Sequence, residues 1–568
     1  MTSLTIGIAG AGGDGVVVLG SLLQKLAALQ GYYSQMPRYY TAQIRGGGSA
    51  VKLMLDAERL SMPKDSLDIL LCFAWNKYLE LEQELSLEAD TLIIYENDPP
   101  EGVVLPDKSF QVAFSQKSQE VTGAAQNKNI IALGLLNKIL SLPHEQVRKA
   151  IQEDEDLRLL KKNLPAVEAG EQIFSEFSLP VLNLSPVRDA LAKLVIHGNS
   201  AMARGAIHAG CRAFFGYPIT PAAEIMQEMQ KELSLSENIF LQTEDEIASA
   251  GMVIGASLAG VKSMTSTSGP GLDLMTEMLG LASVTEIPMV IVDVQRCGPS
   301  TGIPSKSEQS DLNQAIFCGH GDAPRVVMAP YDIEGCYRLI IESFNIANRF
   351  QTPVILLSDQ WLGQTFVAVN DEFLKREYII EEIKKPNLDE FENYQRYLLT
   401  NDFISPMSIM GEERLMYQTT GLTHNEEGAP DFDFETHQRF HEKRWQKLRP
   451  LRQRDDLIKV FGNEKVNRGI ITWGSSAQVV LETVSDLQLQ NEIAVCVPEL
   501  IHPLPDKVER FVRSVDCLLV LEMNYSGQLY RYLRSQIELP TKTRVYTRAG
   551  GRPFSRRELA EPITGITR

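Results

Sequence analysis

The chain has 568 residues, of which 44% are apolar and 23% charged, and its formal net charge is −18 at pH 7. At roughly 150 residues per domain, this length predicts three or four domains. The sequence lacks the basic stripe typical of nucleic-acid binding, and its longest apolar runs are too short to cross a bilayer. The composition favours a cytoplasmic protein that binds neither nucleic acid nor a membrane.

Residues 1–190 alternate strand and helix patterns, which is typical of an α/β domain. Strands are predicted over residues 4–9, 50–55, 67–73 and 91–95, and helices over 16–30, 77–86 and 130–140. The charged, proline-interrupted stretch at 152–190 is interpreted as a linker.

A second α/β unit is predicted over residues 191–365 and a third over 461–568. In the second unit, the pattern predicts strands at 213–215, 262–265, 288–294, 325–328 and 354–358, and helices at 223–233, 247–258 and 333–349. In the third unit, strands are predicted at 470–473, 493–497 and 517–521. Residues 366–460 are polar with little periodicity, which indicates a connecting segment wrapped over a surface.

A glycine loop, GAGGDG at positions 10–15, lies between the first strand and the first helix. The N–H groups at the start of such a helix favour a phosphate. The spacing also matches a dinucleotide-binding loop, but that fold needs an acidic residue about 20 residues further on. Residues 31–38 contain no carboxylate. An NAD-dependent dehydrogenase is therefore disfavoured, although it remains an alternative.

Two segments of the second unit carry groups suited to a helix N-terminus. In YPITP at 217–221, Thr220 is a good N-cap and Pro221 a good first helical residue. The acids Glu244, Asp245 and Glu246 complement the dipole of the next helix. A carboxyl shielded from water there would have the raised pKa that proton chemistry uses. Periodicity alone does not separate Glu244 from Glu246.

Two further segments follow predicted strands. The letters TSTSGPG at 265–271 read as a strand-to-helix loop rich in turn-forming residues. Arg296 ends the strand that begins near residue 288, at the position where ligands of α/β sheets bind. Its guanidinium group can hold a carboxylate through two parallel hydrogen bonds.

Taken in order, these segments resemble the 2-oxoacid:ferredoxin oxidoreductases. That family has a GxGGxG loop and an RGG turn, then YPITP, TSGPG and VxxxRxGPSTG motifs. Residues 304–311, PSKSEQSD, follow its PTKTEQxD pattern, whereas Cys297 stands where the family usually has glycine. The resemblance covers nearly the whole chain. It implies a multidomain α/β fold: a gamma domain (1–190), a thiamine diphosphate pyrimidine-binding domain (191–365), a connecting segment (366–460) and a transketolase-C-like domain (461–568).

The resemblance also implies roles for particular residues. Glu246, chosen over Glu244 on this ground alone, would bond N1′ of the thiamine pyrimidine and activate the cofactor. Residues implied to bind the 2-oxoacid are Thr220, Arg296 and Tyr217, with Lys306 and Gln309 as weaker candidates. Ser268 and Gly269 would approach the cofactor. Gly10, Gly12, Gly13 and Gly15, with Arg45 and Arg38, would contact coenzyme A; for the glycine turn after Arg45, a purely structural role is an equal alternative.

The other half of such an active site is not recognised in this sequence. Seven cysteines are scattered without the close spacing of an iron–sulfur motif. No metal site is predicted, because His437 and His441 lack the glutamate of HExxH and a third ligand. The resemblance therefore implies a beta subunit that supplies the diphosphate site, Mg²⁺ and a [4Fe–4S] cluster. Ferredoxin would be the electron acceptor and the assembly a dimer of heterodimers.

The implied reaction converts a 2-oxoacid, coenzyme A and oxidised ferredoxin to acyl-CoA, carbon dioxide and reduced ferredoxin, in either direction. The fused layout of the chain favours 2-oxoglutarate as the substrate, with pyruvate second. A non-catalytic scaffold subunit, whose motifs only hold an interface, remains a further alternative.

Overall fold

The computed structural model describes residues 2–41, 47–60, 62–153, 163–188, 191–234, 238–387 and 394–566. The chain divides into two compact units. The first contains residues 1–197 and 364–372, and the second contains residues 198–363 and 373–568. Among the described residues, none of the helices has both the length and the apolar character that a membrane crossing requires.

Strands and short helices alternate through the first 197 residues. In chain order they are β1 Ser3–Ala11, α1 Val16–Leu29, β2 Tyr33–Met36, β3 Arg38–Tyr40, β4 Gly48–Asp56, β5 Ile69–Cys72, α2 Trp75–Leu79, β6 Leu92–Tyr95, β7 Ser109–Gln111, α3 Phe114–Thr122, α4 Lys128–Ile139, α5 His144–Glu153, α6 Asn163–Glu176 and β8 Leu194–Ile196.

The remaining elements follow the same alternation. Up to residue 375 they are α7 Gly198–His208, β9 Ala213–Gly216, α8 Ala223–Leu233, β10 Ile239–Gln242, α9 Glu246–Leu258, β11 Ser263–Thr267, α10 Gly269–Leu274, α11 Thr276–Val284, β12 Met289–Gln295, α12 Leu312–Phe317, β13 Val326–Met328, α13 Ile333–Phe350, β14 Pro353–Asp359, α14 Gln360–Gln364, β15 Phe366–Val369 and α15 Glu372–Lys375. Beyond it they are α16 Phe434–Gln446, β16 Ile458–Phe461, β17 Arg468–Ile471, α17 Ser476–Asp486, β18 Ala494–Pro498, β19 Leu500–His502, α18 Asp506–Arg513, β20 Cys517–Glu522, α19 Gln528–Gln536, β21 Lys542–Thr547 and α20 Arg556–Gly565.

The first unit is built on a mixed sheet in the order β7-β6-β5-β1-β4-β2-β15-β8, with β3 also paired to β4. Strand β1 runs parallel to β5 and antiparallel to β4. The strand that follows α1, β2, pairs with β4 and not with β1. A dinucleotide-binding fold needs those two strands parallel and joined by the helix. The sheet order therefore argues against the NAD alternative.

Two secondary-structure predictions for the first unit are wrong. The helix expected over 77–86 ends at Leu79, and turns follow it. The stretch interpreted as a linker contains α6, which packs against α4. A side chain at Gly134 would lie 2.1 Å from the Val167 carbonyl oxygen, and one at Gly170 2.0 Å from that of Ile131. These glycines let the helix backbones touch, which periodicity and charge do not reveal.

The second unit contains two sheets. The seven-stranded sheet has the order β10-β9-β11-β12-β14-β13-β19, in which only β19 is antiparallel to its neighbour. The five-stranded sheet has the order β16-β18-β17-β20-β21. One hydrophobic core includes residues of both sheets, such as Ile291 and Ile471. Each strand and helix predicted between residues 213 and 358 occurs within two residues of its predicted ends, and the α/β fold class is confirmed.

The connecting segment does not simply wrap over a surface. Lys443 on α16 and Lys447, the C-cap residue of that helix, are buried. Both bond to the buried carboxylate of Glu286, with the Lys447 Nζ 2.9 Å from Oε2. Arg396 donates to the Glu286 carbonyl oxygen at 2.7 Å. Burial alone would raise the pKa of Glu286, but Lys443, Lys447 and Arg396 outweigh it and lower that pKa. Lysines are usually solvated, so their burial was not expected from the sequence.

Candidate functional site

The four motifs of the second unit follow the carboxyl ends of four neighbouring strands. Glu246 follows β10, Thr220 follows β9, Ser268 follows β11 and Arg296 follows β12. These strands are adjacent and parallel in the sheet. In open α/β sheets, ligands bind outside the carboxyl ends of the strands. The fold therefore brings together segments that lie up to 80 residues apart in sequence.

Burial distinguishes the two acids that the sequence could not separate. Glu246 is the first residue of α9 and only 6% exposed, whereas Glu244 is exposed. Asp245, between them, caps the helix by accepting a 2.7 Å bond from the Ala248 N–H. Burial raises the pKa of the Glu246 carboxyl. Among the three acids, Glu246 is thus the one shielded from water.

The glycine-rich loop lies directly against this carboxyl. A side-chain carbon at Gly271 would be 2.6 Å from Glu246 Oε1 and 2.0 Å from Thr267 Oγ1. Ser268, the N-cap residue of α10, is buried, and its hydroxyl has no partner among the described residues. A buried hydroxyl without a partner costs free energy unless a ligand satisfies it. Glu246 and Ser268 together offer a carboxyl and a hydroxyl to a polar ligand.

We expect Gly271→Ala to lower the rate of any reaction that uses the Glu246 carboxyl at least about tenfold, because the new methyl group must displace Glu246 or Thr267. Overpacking of this kind costs typically about 1–3 kcal/mol, so the thermal transition should fall only modestly. Steady-state turnover and differential scanning calorimetry would measure both effects. The control is Gly280→Ala in α11, where the added methyl group meets nothing within 4 Å. Equal activity of the two variants would contradict the expectation.

The prediction that Thr220 caps a helix is wrong. The helix α8 begins at Ala223 with Ala222 as its N-cap. Thr220 is exposed and lies in a turn before it, with a cis peptide bond to Pro221. Its carbonyl oxygen accepts a 2.5 Å bond from Arg296 Nη1. The structure therefore joins the YPITP segment to Arg296, and Tyr217, 41% exposed, begins the same segment.

Arg296 lines a cavity of about 580 Å³ in the second unit. Its side chain is 7% exposed and its Nε is buried without a partner in the described structure. Burial lowers the pKa of Arg296, while Asp311 and Asp293 oppose the shift. The cavity walls also include Gly269, Asp273, Glu308, Asp311, Asn524 and Tyr525. Of the described residues that line this cavity, Arg296 is the only basic one.

Two weaker candidates lie elsewhere. Lys306 is half-buried in a turn, where its N–H bonds to the Ile303 carbonyl, and it does not line the cavity. Gln309 is fully buried and joins the loop before α12 to the segment after β17: its Nε2 donates to the Trp473 carbonyl at 2.8 Å, and its Oε1 accepts from Ser476 Oγ at 2.7 Å. Gln309 therefore has a structural role in this unit.

In the first unit, the glycine loop joins β1 to α1 as predicted. Gly13 and Gly15 have φ angles of 102° and 73°, which favour glycine. Asp14 turns back into the loop: it accepts from the Ala11 N–H at 2.7 Å and pairs with Lys128 at 2.9 Å. A carboxylate therefore already lies beside the start of α1, a contact that the GxGxxG spacing did not indicate. Arg45 lies outside the described residues, and Arg38 contacts the Phe366 ring.

Sequence reasoning assigned no role to Asp293, or to Asp311 at the end of the PSKSEQSD stretch; the charges of both act on Arg296. Asp293 stands in the middle of the apolar strand MVIVDVQ and is 0% exposed. A charged residue within a buried strand was a usable signal, because such groups are rarely buried without a partner. Among the described residues there is no group of three or more potential metal ligands.

Comparison with known proteins supports the reading of these motifs. Residues 204–443 match the family described as "Pyruvate flavodoxin/ferredoxin oxidoreductase, thiamine diP-bdg", and residues 5–173 match "Pyruvate ferredoxin/flavodoxin oxidoreductase". The 2-oxoglutarate synthase subunit KorA of Archaeoglobus fulgidus is 39% identical over 59% of this chain and 89% of its own length. The 2-oxoacid:ferredoxin oxidoreductase subunit alpha of a Sulfolobus species is 28% identical over 98% of this chain and 96% of its own.

A solved structure resembles the chain along its whole length. It is the 2-oxoglutarate:ferredoxin oxidoreductase of Magnetococcus marinus, with 2-oxoglutarate, coenzyme A and succinyl-CoA bound. Its matching chain is 32% identical, with a TM-score of 0.91 and full coverage of both chains. The motifs, the fold and these relatives agree: the chain belongs to the 2-oxoacid:ferredoxin oxidoreductase family, as an alpha subunit.

Proposed function

We propose that this chain, together with a beta subunit, catalyses the thiamine diphosphate-dependent oxidation of 2-oxoglutarate in the cytoplasm. The balanced reaction is 2-oxoglutarate plus coenzyme A plus two oxidised ferredoxins to succinyl-CoA, carbon dioxide, two reduced ferredoxins and a proton. In this proposal the beta subunit holds the diphosphate, Mg²⁺ and the [4Fe–4S] cluster, and two heterodimers associate. The division into four regions at residues 190, 365 and 460 is part of the same proposal.

The observation that carries the proposal is the buried Glu246 carboxyl against the TSGPG loop. When bound, thiamine diphosphate supplies a carbon nucleophile and an electron sink for decarboxylation. A carboxyl with a raised pKa keeps its proton to a higher pH than a solvated one does and can share it with a ring nitrogen. Glu246 would provide that proton, and Ser268 and Gly269 would line the ring. The unpartnered Ser268 hydroxyl fits a ligand with polar edges.

The substrate carboxylate would bind to Arg296, whose position is held by its bond to the Thr220 carbonyl. The exposed Thr220 hydroxyl and Tyr217 would contact the rest of the 2-oxoacid. Lys306, which does not line the cavity, would lie farther from the substrate. For coenzyme A we propose the first unit, through Gly10, Gly12, Gly13 and Gly15 together with Arg45 and Arg38. Lys128 pairs with Asp14 and also with Glu96, at 3.0 Å, so it offsets only part of the negative charge beside that loop.

The composition of the cavity also supports pyruvate as an alternative substrate. A dicarboxylate such as 2-oxoglutarate needs cationic or polar partners at both ends, whereas Arg296 is the one basic group among the described cavity residues. That composition would suffice for a monocarboxylate such as pyruvate. The KorA relatives and the Magnetococcus marinus enzyme are named for 2-oxoglutarate, so we place it first.

The test is to purify the chain with its natural partner and measure coenzyme A-dependent reduction of ferredoxin or a viologen dye across a panel of 2-oxoacids. We expect the highest kcat/KM with 2-oxoglutarate. A higher value with pyruvate would select the second substrate. No reduction with any 2-oxoacid, in a complex with an intact cluster, would refute the proposed activity and favour a scaffold.

Replacing Arg296 with methionine is expected to raise KM for the 2-oxoacid about 10- to 100-fold. Hydrogen bonds to charged groups contribute about 1.5–3 kcal/mol, which corresponds to that range. Arg296→Lys keeps the charge but loses the planar fork, so its KM should be intermediate. Initial-rate kinetics with varied 2-oxoacid and saturating coenzyme A would measure the change. An unchanged KM in Arg296→Met would show that the carboxylate binds elsewhere.

A further inference from the structure

The last described stretch of the chain is basic, in contrast to the protein as a whole. Residues 531–566 contain eight lysines and arginines and three acidic residues, a net charge of +5, whereas the whole chain carries −18. This stretch includes most of α19, the edge strand β21, the loop after it and α20. An excess of positive charge is therefore concentrated on one part of an acidic protein.

Part of this positive charge is not neutralised by the fold. Arg531, Lys542 and Arg552 are exposed, and none of them has an acidic partner among the described residues. Arg544 is also exposed, and its guanidinium bonds to a backbone carbonyl, at 2.8 Å, and not to an acid. We call these four residues the basic edge. Their charges are open to an anion from outside the chain.

A second stretch, residues 439–454, is also basic in sequence, but the fold neutralises much of it. Lys443 and Lys447 are buried against an acid inside the second unit. Arg452 and Arg454 pair with acidic side chains at 2.9 and 2.6 Å. The basic edge is thus distinguished by the lack of acidic neighbours and not by composition alone.

One end of the basic edge lies beside the proposed active site. The Arg531 N–H bonds to the carbonyl of Gly527, one turn earlier at the start of α19. A side chain at Gly527 would lie 3.6 Å from the methyl group of Thr547, the last residue of β21. The turn that leads into α19 carries Tyr525, which is 84% exposed and lines the same cavity as Arg296.

The loop after β21 reaches the same cavity. The N–H of Gly551, the residue before Arg552, donates to the Ser307 carbonyl at 2.9 Å. A side chain at Gly550 would lie 2.5 Å from Cβ of Glu308, which is a cavity residue. Both segments that flank the carboxyl end of β21 therefore adjoin the cavity in which the 2-oxoacid is proposed to bind.

The extent of the basic edge indicates what it binds. Lys542 is the first residue of β21, a strand about 20 Å long, and Arg552 follows its end. A phosphate group is much smaller than this span, whereas the surface of a protein matches it. Charge on an edge strand also prevents pairing with other sheets, but charge of either sign does so. That need does not account for an excess of cations.

We propose that the basic edge docks the electron acceptor, a ferredoxin with an acidic surface. The inference rests on the proposed function for the identity of the acceptor. Because the protein as a whole is negative, an acidic partner is repelled by most of its surface and guided to the basic part. Docking there would bring the acceptor to the mouth of the cavity that Arg296 lines.

The kinetic test uses the complex of this chain with its partner subunit and a ferredoxin of the same organism. The basic-edge variant combines Arg531→Gln, Lys542→Gln and Arg552→Gln. Charge steering raises association rates about 10- to 10³-fold, so KM for ferredoxin should rise at least about tenfold at an ionic strength of about 10 mM, where screening is weak. Added salt should raise KM of the unaltered complex more than that of the variant. Reduction of a saturating viologen dye, which is a cation, should be unchanged.

The matched control combines Lys231→Gln, Lys385→Gln and Lys465→Gln. These lysines are exposed, and their replacement changes the net charge by the same amount. Lys465 follows β16, which forms the opposite edge of the sheet that contains β21. KM for ferredoxin in the control should stay close to that of the unaltered complex. An equal increase in both variants would show that overall charge guides ferredoxin, and would overturn the proposal.

A second measurement reports docking without turnover. Isothermal titration calorimetry of oxidised ferredoxin into the complex at low ionic strength should show binding that weakens at least about tenfold in the basic-edge variant, and the control should retain it. Absence of binding to the unaltered complex, or an unchanged affinity in the basic-edge variant, would overturn the proposal.

Two further outcomes separate this inference from others. Loss of the beta subunit from the basic-edge variant in size-exclusion chromatography would overturn the proposal, because the surface would then bind the partner subunit. If ferredoxin binds as expected but no 2-oxoacid reduces the viologen dye, the proposed function fails while the docking surface stands. If the dye is reduced but the ferredoxin affinity is the same in all three complexes, the docking surface fails while the proposed function stands.

Discussion

Glu246→Gln is expected to lower kcat for 2-oxoacid oxidation by about 10²–10⁴-fold, the range that positioned acid–base groups contribute. Glutamine fills the same space against Gly271 but cannot take up and release the proton that the proposed function assigns to this carboxyl. Because burial raises the pKa of Glu246, removing the carboxyl should not destabilise the chain. Coenzyme A-dependent viologen reduction by the purified complex would measure the loss, and size-exclusion chromatography would show that the complex remains assembled.

The matched control is Glu244→Gln, two residues earlier, in the segment that leads into α9. Glu244 is exposed, so its replacement should change kcat by less than about twofold. This pair of variants separates the two acids that the sequence left equivalent. A Glu246→Gln complex that retains more than a tenth of the activity, or an equal loss in Glu244→Gln, would contradict the assignment of the proton to Glu246 and favour the scaffold alternative.

Glu286→Gln is expected to destabilise the second unit by about 3–5 kcal/mol, the usual cost of breaking a buried ion pair on one side. The amide would leave Lys443 and Lys447 buried without an anion. Burial already lowers the pKa of Lys443 to about 8 despite the opposing charge of Glu286. Thermal unfolding followed by circular dichroism should show a transition several degrees lower, with the largest change in the second unit.

Two comparisons make this prediction specific. Asp402→Asn breaks an exposed pair with Lys384, which should cost less than about 1 kcal/mol. Replacing Glu286, Lys443 and Lys447 together by leucine and two methionines should recover much of the loss, because apolar residues of similar volume can replace a buried ion cluster. A Glu286→Gln variant as stable as Asp402→Asn would show that the cluster contributes little.

The sequence placed a motif correctly in the fold where that motif coincides with the end of a predicted strand. YPITP, TSTSGPG and Arg296 each follow a strand whose apolar run was visible, and parallel strands bring such ends to one edge. The strand before Glu246, β10, was not predicted. The position of Glu246 could be named, although its burial could not. Thr220 was misread as a helix cap because its residue type suits that role, whereas the structure uses its carbonyl oxygen to hold Arg296.

The predicted strands and helices between residues 213 and 358, the α/β class and the family followed from the chain alone, since periodicity and short motifs are properties of neighbouring residues. Two features depended on the folded structure: the packing of α6 on α4 through two glycines, and the burial of Lys443 and Lys447 around Glu286. In each, the free energy of a group is set by a partner between 33 and 161 residues away. Desolvation and charge pairing act between atoms that only tertiary folding brings together, so no local pattern could have revealed them.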